Sequence, residues 1–182
     1  SASEQTKRTG PFKGLRVGVI MDEFSLLAWG AEFTIVPLLP GDEAKLESLE
    51  LDIFFVESAW NGNDGAWKYQ LTGSSAPSHA LALIIDKCKM LDIPTVFWNK
   101  EDPPHFLDFL DTARLFDFVF TSDVNLVDSY VNALGHSRVW PLRFAAQPAI
   151  HNPIRTDMPN FQKGDVAFAG MYFAHKFPER RE

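Results

Sequence analysis

Residues 77–106 read PSHALALIIDKCKMLDIPTVFWNKEDPPHF, and three patterns follow one another in them. Leu81, Ile84, Ile85, Cys88 and Leu91 recur at helical spacing. Ser78 precedes them as an N-cap, where a hydroxyl can take an orphan amide. Residues 95–98 are then apolar without alternation, the mark of a strand covered on both faces. Finally Asn99, Lys100, Glu101, Asp102 and His105 crowd into seven residues, broken by Pro103 and Pro104. Helix, buried strand and polar cluster make one unit of a parallel α/β sheet, with chemistry at the strand's carboxyl end.

The same unit repeats outward from this stretch. Residues 15–21 (LRVGVIM), 33–38 (FTIVPL), 51–56 (LDIFFV), 116–120 (FDFVF) and 138–144 (RVWPLRF) read as further strands, the second ending at Pro37 or lying at an edge. Short helices are expected over residues 41–49, 104–115 and 123–134. The last presents Leu126, Val127, Tyr130, Val131 and Leu134 on one face and stops at Gly135. Right-handed crossovers then give a Rossmann-like, doubly wound parallel sheet of about six strands. Its carboxyl edge collects Asp22, Glu57, Asn99, Lys100, Thr121 and, after the sixth strand, Gln147. Residues 99–105 are expected at the centre, where the strand order reverses.

Organisation outside this domain follows composition. Residues 1–12 are polar and read as a flexible tail, residues 13–145 as the domain, and residues 146–164, with three prolines and no period, as a linker. Residues 165–182 open on a new strand, DVAFAG, as if a second domain began and were cut short.

Composition excludes several classes. A net charge of −7, without a basic block, is a poor match for a phosphate backbone, so nucleic acid is not an expected partner. The single Cys88 cannot form an internal disulfide and no zinc spacing occurs. No apolar run approaches the ~20 residues of a membrane span. Residues 1–12 lack the apolar centre of a signal peptide. The expected location is therefore the cytoplasm. No GxGxxG follows the first strand, and GxxxxGK[ST], HExxH, GxSxG and DxD are all missing. A phosphoacceptor receiver domain fails because the third strand ends in Glu57 and the fifth offers no Lys.

Individual residues carry a functional and a structural reading. Asp102, before Pro103, reads as the N-cap of the following helix. Glu101 is then spare, and His105 in the first helical turn sits where the helix dipole favours the neutral, base-competent imidazole. Glu101 and His105 are the candidate catalytic pair. Lys100 pairs with Glu101 or Glu57, or meets a phosphate. In the loop SAWNGNDGAWKYQLTG (58–73), Trp60 and Asn61 suit a polyhydroxylated ligand; the alternative is that Trp60 and Trp67 fold onto the core.

The blocks FVESAWNGNDGAWKYQLTG, PTVFWNKEDPPHFLDFLDTARLFDFVFTSD, RFAAQPAIHNP and VAFAGMYFAHKFPERRE together resemble the CgeB-like glycosyltransferases. The resemblance implies the N-terminal, acceptor-side half of a two-Rossmann GT-B architecture. It implies hexosyl transfer from a nucleotide sugar to a glycan, cell-surface polymer or protein, with no metal or resident cofactor. It also implies a C-terminal donor domain of which residues 165–182 are the start, so that this chain alone is inactive. A non-catalytic carbohydrate- or nucleotide-binding module, or a partner-binding domain, are the alternatives. Candidate binding residues are Asp22, Glu57, Trp60, Asn61, Asn99, Lys100, Thr121 and Gln147.

Overall fold

The computed structural model describes residues 12–74 and 76–151. The chain alternates strands and helices. β1 (Arg16–Ile20), α1 (Glu23–Trp29), β2 (Thr34–Pro37), a 3-10 turn (Asp42–Lys45), α2 (Leu46–Leu49) and β3 (Ile53–Glu57) form the first half. α3 (His79–Met90), β4 (Thr95–Asn99), α4 (Phe106–Ala113), β5 (Phe118–Thr121), a 3-10 turn (Val124–Leu126), α5 (Val127–Leu134) and β6 (Val139–Pro141) form the second. The strands make one six-stranded sheet, all parallel, in the order β2-β1-β3-β4-β5-β6. This is an α/β, Rossmann-like doubly wound fold.

Alternation along each strand divides the core. Phe54, Val56, Phe97, Val119 and Val139 face α3, α4 and α5, meeting Leu81, Ile84, Ile85, Cys88, Phe109 and Tyr130. Val17, Val19, Met21, Phe55 and Trp98 face the other way, with Leu26 and Trp29 of α1 packed on them. Gly18 lies in β1 because a Cβ there would sit 2.6 Å from Leu51 Cδ1 and 3.2 Å from a Leu38 methyl. Ser78 caps α3, accepting from the Leu81 amide, and Gly135 ends α5 in the left-handed region at φ 72°. β2 is an edge strand that stops at Pro37.

Four expectations are corrected. α1 was not expected, because its apolar residues run round the whole helix: Phe24 and Leu27 are exposed while Leu26 and Trp29 face the sheet. The helix expected over 104–115 is shorter, Phe106–Ala113, and its N-cap is His105 rather than Asp102, whose carboxylate is engaged elsewhere. β6 is only Val139–Pro141, although the Leu142 amide still donates to Thr121 O at 2.8 Å. Most consequentially, the strand order reverses between β1 and β3, not at β4.

Of the expected tail only Phe12 falls among the described residues, and the expected second-domain start at 165–182 lies outside them. The first residues of the expected linker are anchored: Gln147 Nε2 donates to Ala28 O at 3.0 Å and to Glu32 Oε1 at 2.9 Å. Among the described residues no helix is long and apolar enough to cross a membrane.

Candidate functional site

At the switch point, the chain leaving β1 and the chain leaving β3 diverge to opposite sides of the sheet, opening a crevice at their carboxyl ends. Three charged side chains form its base. Glu57, the last residue of β3, is fully buried; its Oε1 accepts from the Asp22 amide at 2.7 Å and from Lys100 Nζ at 2.9 Å. Lys100 Nζ also lies 3.3 Å from Asp22 Oδ2, and Asp22 Oδ1 accepts from the Gly62 amide at 2.9 Å. Burial pushes the Glu57 carboxyl up, against the pull of Lys100. Burial also works against the Lys100 ammonium, but Glu57 and Asp22 outweigh it and hold its pKa above the ordinary lysine value. Among the described residues Glu57 Oε2 has no hydrogen-bond partner within ordinary geometry, and Ser25 of α1 is the hydroxyl that faces the carboxylate. Lys100 thus pairs with Glu57, one of its two expected partners, and with Asp22 as well.

A second network lies one strand over. Asn99, buried at the end of β4, donates from Nδ2 to Asp102 Oδ1 at 2.8 Å and to the Tyr130 hydroxyl at 2.9 Å. Thr121, at the end of β5, donates to Asp102 Oδ2 at 2.6 Å. The Tyr130 hydroxyl reaches Asp102 Oδ1 at 3.4 Å. Burial raises the Asp102 carboxyl to about 6; the Thr121 and Tyr130 hydrogen bonds oppose the rise and Asp123 adds to it. Burial, with the Asp102 charge, also raises the Tyr130 phenol.

Ser58 joins the networks, its Oγ accepting from the amides of Lys100 at 2.9 Å and Glu101 at 3.3 Å. The Glu101 backbone is fixed in this way, while its half-buried carboxylate makes no hydrogen bond or ion pair with the described residues. His105 Nδ1 lies 2.6 Å from Asp108 Oδ2, and its ring meets Trp60 edge-on at 5.0 Å.

Above the ion triad opens a polar cleft of about 840 Å³, lined by Asp22, Glu23, Phe24, Asn61, Asp64 and Lys68 among others. One wall is the loop after β3, where Gly62, Asn63, Asp64 and Gly65 are successively left-handed, at φ 54°, 46°, 58° and 85°. L-residues avoid this region, and Asn and Asp are among the few that tolerate it. A Cβ on Gly62 would stand 2.9 Å from Ile20 and from Trp67. Asn63 pins the turn: Nδ2 donates to Val19 O and Leu38 O, both at 2.7 Å, and Oδ1 accepts from the Met21 amide at 3.1 Å. A strained turn held by buried hydrogen bonds and projecting Asp64 into a cleft is characteristic of a binding site.

Of the residues expected at the site, Asp22 and Asn61 line this cleft, with Glu57 and Lys100 beneath Asp22. Asn99 and Thr121 hold Asp102 in the second network. Gln147 lies apart, against α1. Trp67 folds into the core, its Nε1 donating to Leu38 O at 2.7 Å, and Trp60 packs on Phe109 and His105. Neither indole lines the cleft; its exposed ring is Phe24. Glu23 follows Asp22 at the expected edge and also lines the cleft, while Phe24, Asp64 and Lys68 were missed, although they lie beside β1 and in the loop after β3, the positions a switch point selects. In comparisons with known proteins, no family model, no curated protein and no solved structure matches this chain.

Proposed function

We propose that this chain is the acceptor-side domain of a CgeB-like, sugar-nucleotide-dependent glycosyltransferase of the GT-B type, and that the polar cleft holds the carbohydrate acceptor. The observation that carries this reading is the cleft's chemistry: carboxylates of Asp22, Glu23 and Asp64, the Asn61 amide, and the exposed Phe24 ring converge at the switch point. Carboxylates and amides accept from and donate to vicinal hydroxyls, and a ring face packs on the apolar C–H side of a pyranose. The buried triad fixes Asp22, so its oxygens are aimed before ligand arrives.

Transfer requires a base for the acceptor hydroxyl. The candidates on this edge are Glu101 and the Asp108-oriented His105; neither is among the residues that line the cleft, so the acceptor would have to extend beyond it to meet them. The donor is a nucleotide sugar, held largely by a second Rossmann domain, and the reading calls for no metal or resident cofactor. The expected address is cytoplasmic.

A non-catalytic carbohydrate-binding module is the second reading. It is favoured by the pairing of the single Lys100 ammonium with two carboxylates, Glu57 and Asp22, which leaves no cation free for phosphate in that triad.

Ligand-observed NMR with a panel of methyl glycosides tests the shared core of both readings. Saturation transfer to a pyranoside, with amide shifts confined to residues 22–24 and 61–68, is expected, and Asp64→Asn together with Asn61→Ala should abolish it. A panel in which no neutral sugar perturbs the cleft overturns the carbohydrate reading.

A further inference from the structure

We propose that the carbohydrate acceptor of the polar cleft carries an aryl group, and that this group occupies a second cavity that shares Phe24 with the cleft as a lining residue. The inference rests on the carbohydrate reading above. The second cavity is a groove of about 270 Å³ whose aromatic walls are Phe12, Phe24, Trp29, Phe33, Trp98 and Phe144.

Phe24 lines both cavities. Its side chain is 59% exposed, and with Phe12 (56%) and Phe144 (59%) around the same groove it forms an exposed aromatic patch rather than a lone surface ring. Asp22, which lines the cleft, is two residues from Phe24 in sequence, so the two cavities adjoin at this one side chain.

The walls select for a ring. Trp29 and Trp98 meet edge-on, with centroids 6.3 Å apart and planes at 88°; Trp98 and Phe144 lie 5.2 Å apart at 59°. Such crossed rings offer both faces and edges to an inserted ring, which gains edge-to-face and offset contacts beyond simple burial. Several polar groups at the rim are already occupied. The Trp98 indole donates to Leu142 O at 2.9 Å, and Gln147 Nε2 joins Ala28 O to Glu32 Oε1. The groove is smaller than the ~300–1,000 Å³ that houses a whole drug-sized ligand. It is therefore a subsite for a ring-sized part of a larger molecule whose polar part lies elsewhere, and the adjoining cleft provides that place.

Calorimetry on the full 182-residue chain tests this. The probes are methyl, p-nitrophenyl and octyl glycosides of glucose, galactose, mannose and N-acetylglucosamine, with benzyl alcohol as a ring-only competitor. For the sugar the cleft accepts, the p-nitrophenyl glycoside should bind at least about tenfold more tightly than the methyl glycoside, the worth of one or two good ring contacts. Phe144→Ala, which removes a 59% exposed ring and its contact with Trp98 but does not alter the lining of the polar cleft, should erase that advantage and leave methyl glycoside binding unchanged. Ala28→Trp, which fills the groove, should do the same, and benzyl alcohol should compete only with the aryl form. Equal affinity of methyl and aryl forms, an aryl advantage that survives both substitutions, or an octyl glycoside that binds as tightly as the aryl one overturns the aryl assignment and leaves the cleft reading standing. Benzyl alcohol binding in the groove with no glycoside binding in the cleft removes the carbohydrate reading, and this proposal with it.

Discussion

Two carboxylates at the same sheet edge, Glu57 and Asp102, are both withdrawn from water, and they are stabilised by opposite means. Glu57 has a cation at 2.9 Å and a backbone amide at 2.7 Å. Among the described residues Asp102 has only neutral donors, from Asn99, Thr121 and Tyr130. An ion pair in a low-dielectric site depends on both partners, so removing either strands the other. A carboxylate among neutral dipoles has no partner to strand and adapts by taking a proton. The first arrangement makes a rigid base for the cleft; the second makes a group that titrates close to neutrality.

The largest effect should come from breaking the first arrangement. Lys100→Ala leaves Glu57 buried without its cation, and should cost about 3–5 kcal/mol in urea unfolding at neutral pH. Glu57→Gln keeps the shape and the Asp22–Lys100 contact, so it should cost distinctly less. If Lys100→Ala proves no worse than a surface substitution, the triad is solvated and the contrast with Asp102 disappears.

The second arrangement predicts a smaller effect of a particular sign. The folded Asp102 carboxyl, at about 6, lies above its unfolded value of about 3.9. The native state therefore binds this proton more tightly than the unfolded chain does. Its contribution is most favourable below the unfolded value, is lost as pH rises through about 4 to 6, and stays lost above the folded pKa. Acidifying from pH 7 to 5 should thus gain stability from this group, roughly 1 kcal/mol once solvent screening is allowed for. In Asp102→Asn that increment should vanish, so the difference between the two stability–pH curves isolates it. A difference curve that is flat, or that slopes the other way, would show that the neutral donors alone keep Asp102 ionised.

Smaller still is the effect expected at the strained turn. Asp64 holds φ 58° between neighbours that are also left-handed. Asp64→Gly relieves that strain and offsets most of the gain through a freer unfolded chain. The net change should be within about 0.5 kcal/mol and stabilising, while glycoside binding in the cleft weakens several-fold. Loss of stability would mean that the carboxylate, rather than the backbone, holds the turn.

How much of this was legible in the sequence follows from the range of the forces involved. The strands were legible because burial on both faces leaves continuous apolar runs, and the register Glu57↔Trp98 then places Lys100 just beyond Glu57. α1 was not, because Phe24 and Leu27 hide its inward face. Asp102 was misread by a sound local rule. Asp before Pro reads as a cap, but Thr121, nineteen residues on, competes for the same carboxylate and wins. The cleft was half legible: Asp22, Glu23 and Asn61 follow strand ends, whereas Phe24, Asp64 and Lys68 needed the reversal between β1 and β3, which strand order alone reveals.

The smallest expected change in stability is at Glu101, and it is the one that bears most on chemistry. Between the two networks, Glu101 has its amide held by Ser58 and Asn99 and its carboxylate free of both. A side chain whose backbone is fixed by others can change without disturbing the fold, so Glu101→Gln should alter stability by less than about 0.5 kcal/mol, the usual range for surface substitutions away from special features. If this carboxylate is the base of the proposed transfer, the same substitution should lower kcat by roughly 10²–10⁴-fold when the chain is assayed joined to a donor-binding domain. His105→Gln serves as the control, since it removes the Asp108-oriented imidazole while keeping a polar group at the N-cap of α4. A large loss in one variant with little in the other names the base. Equal, modest losses in both would assign these residues to positioning the acceptor. Denaturation of Glu101→Gln with unchanged specific activity would make the carboxylate structural and move the search for the base back into the cleft, to Glu23 and Asp64.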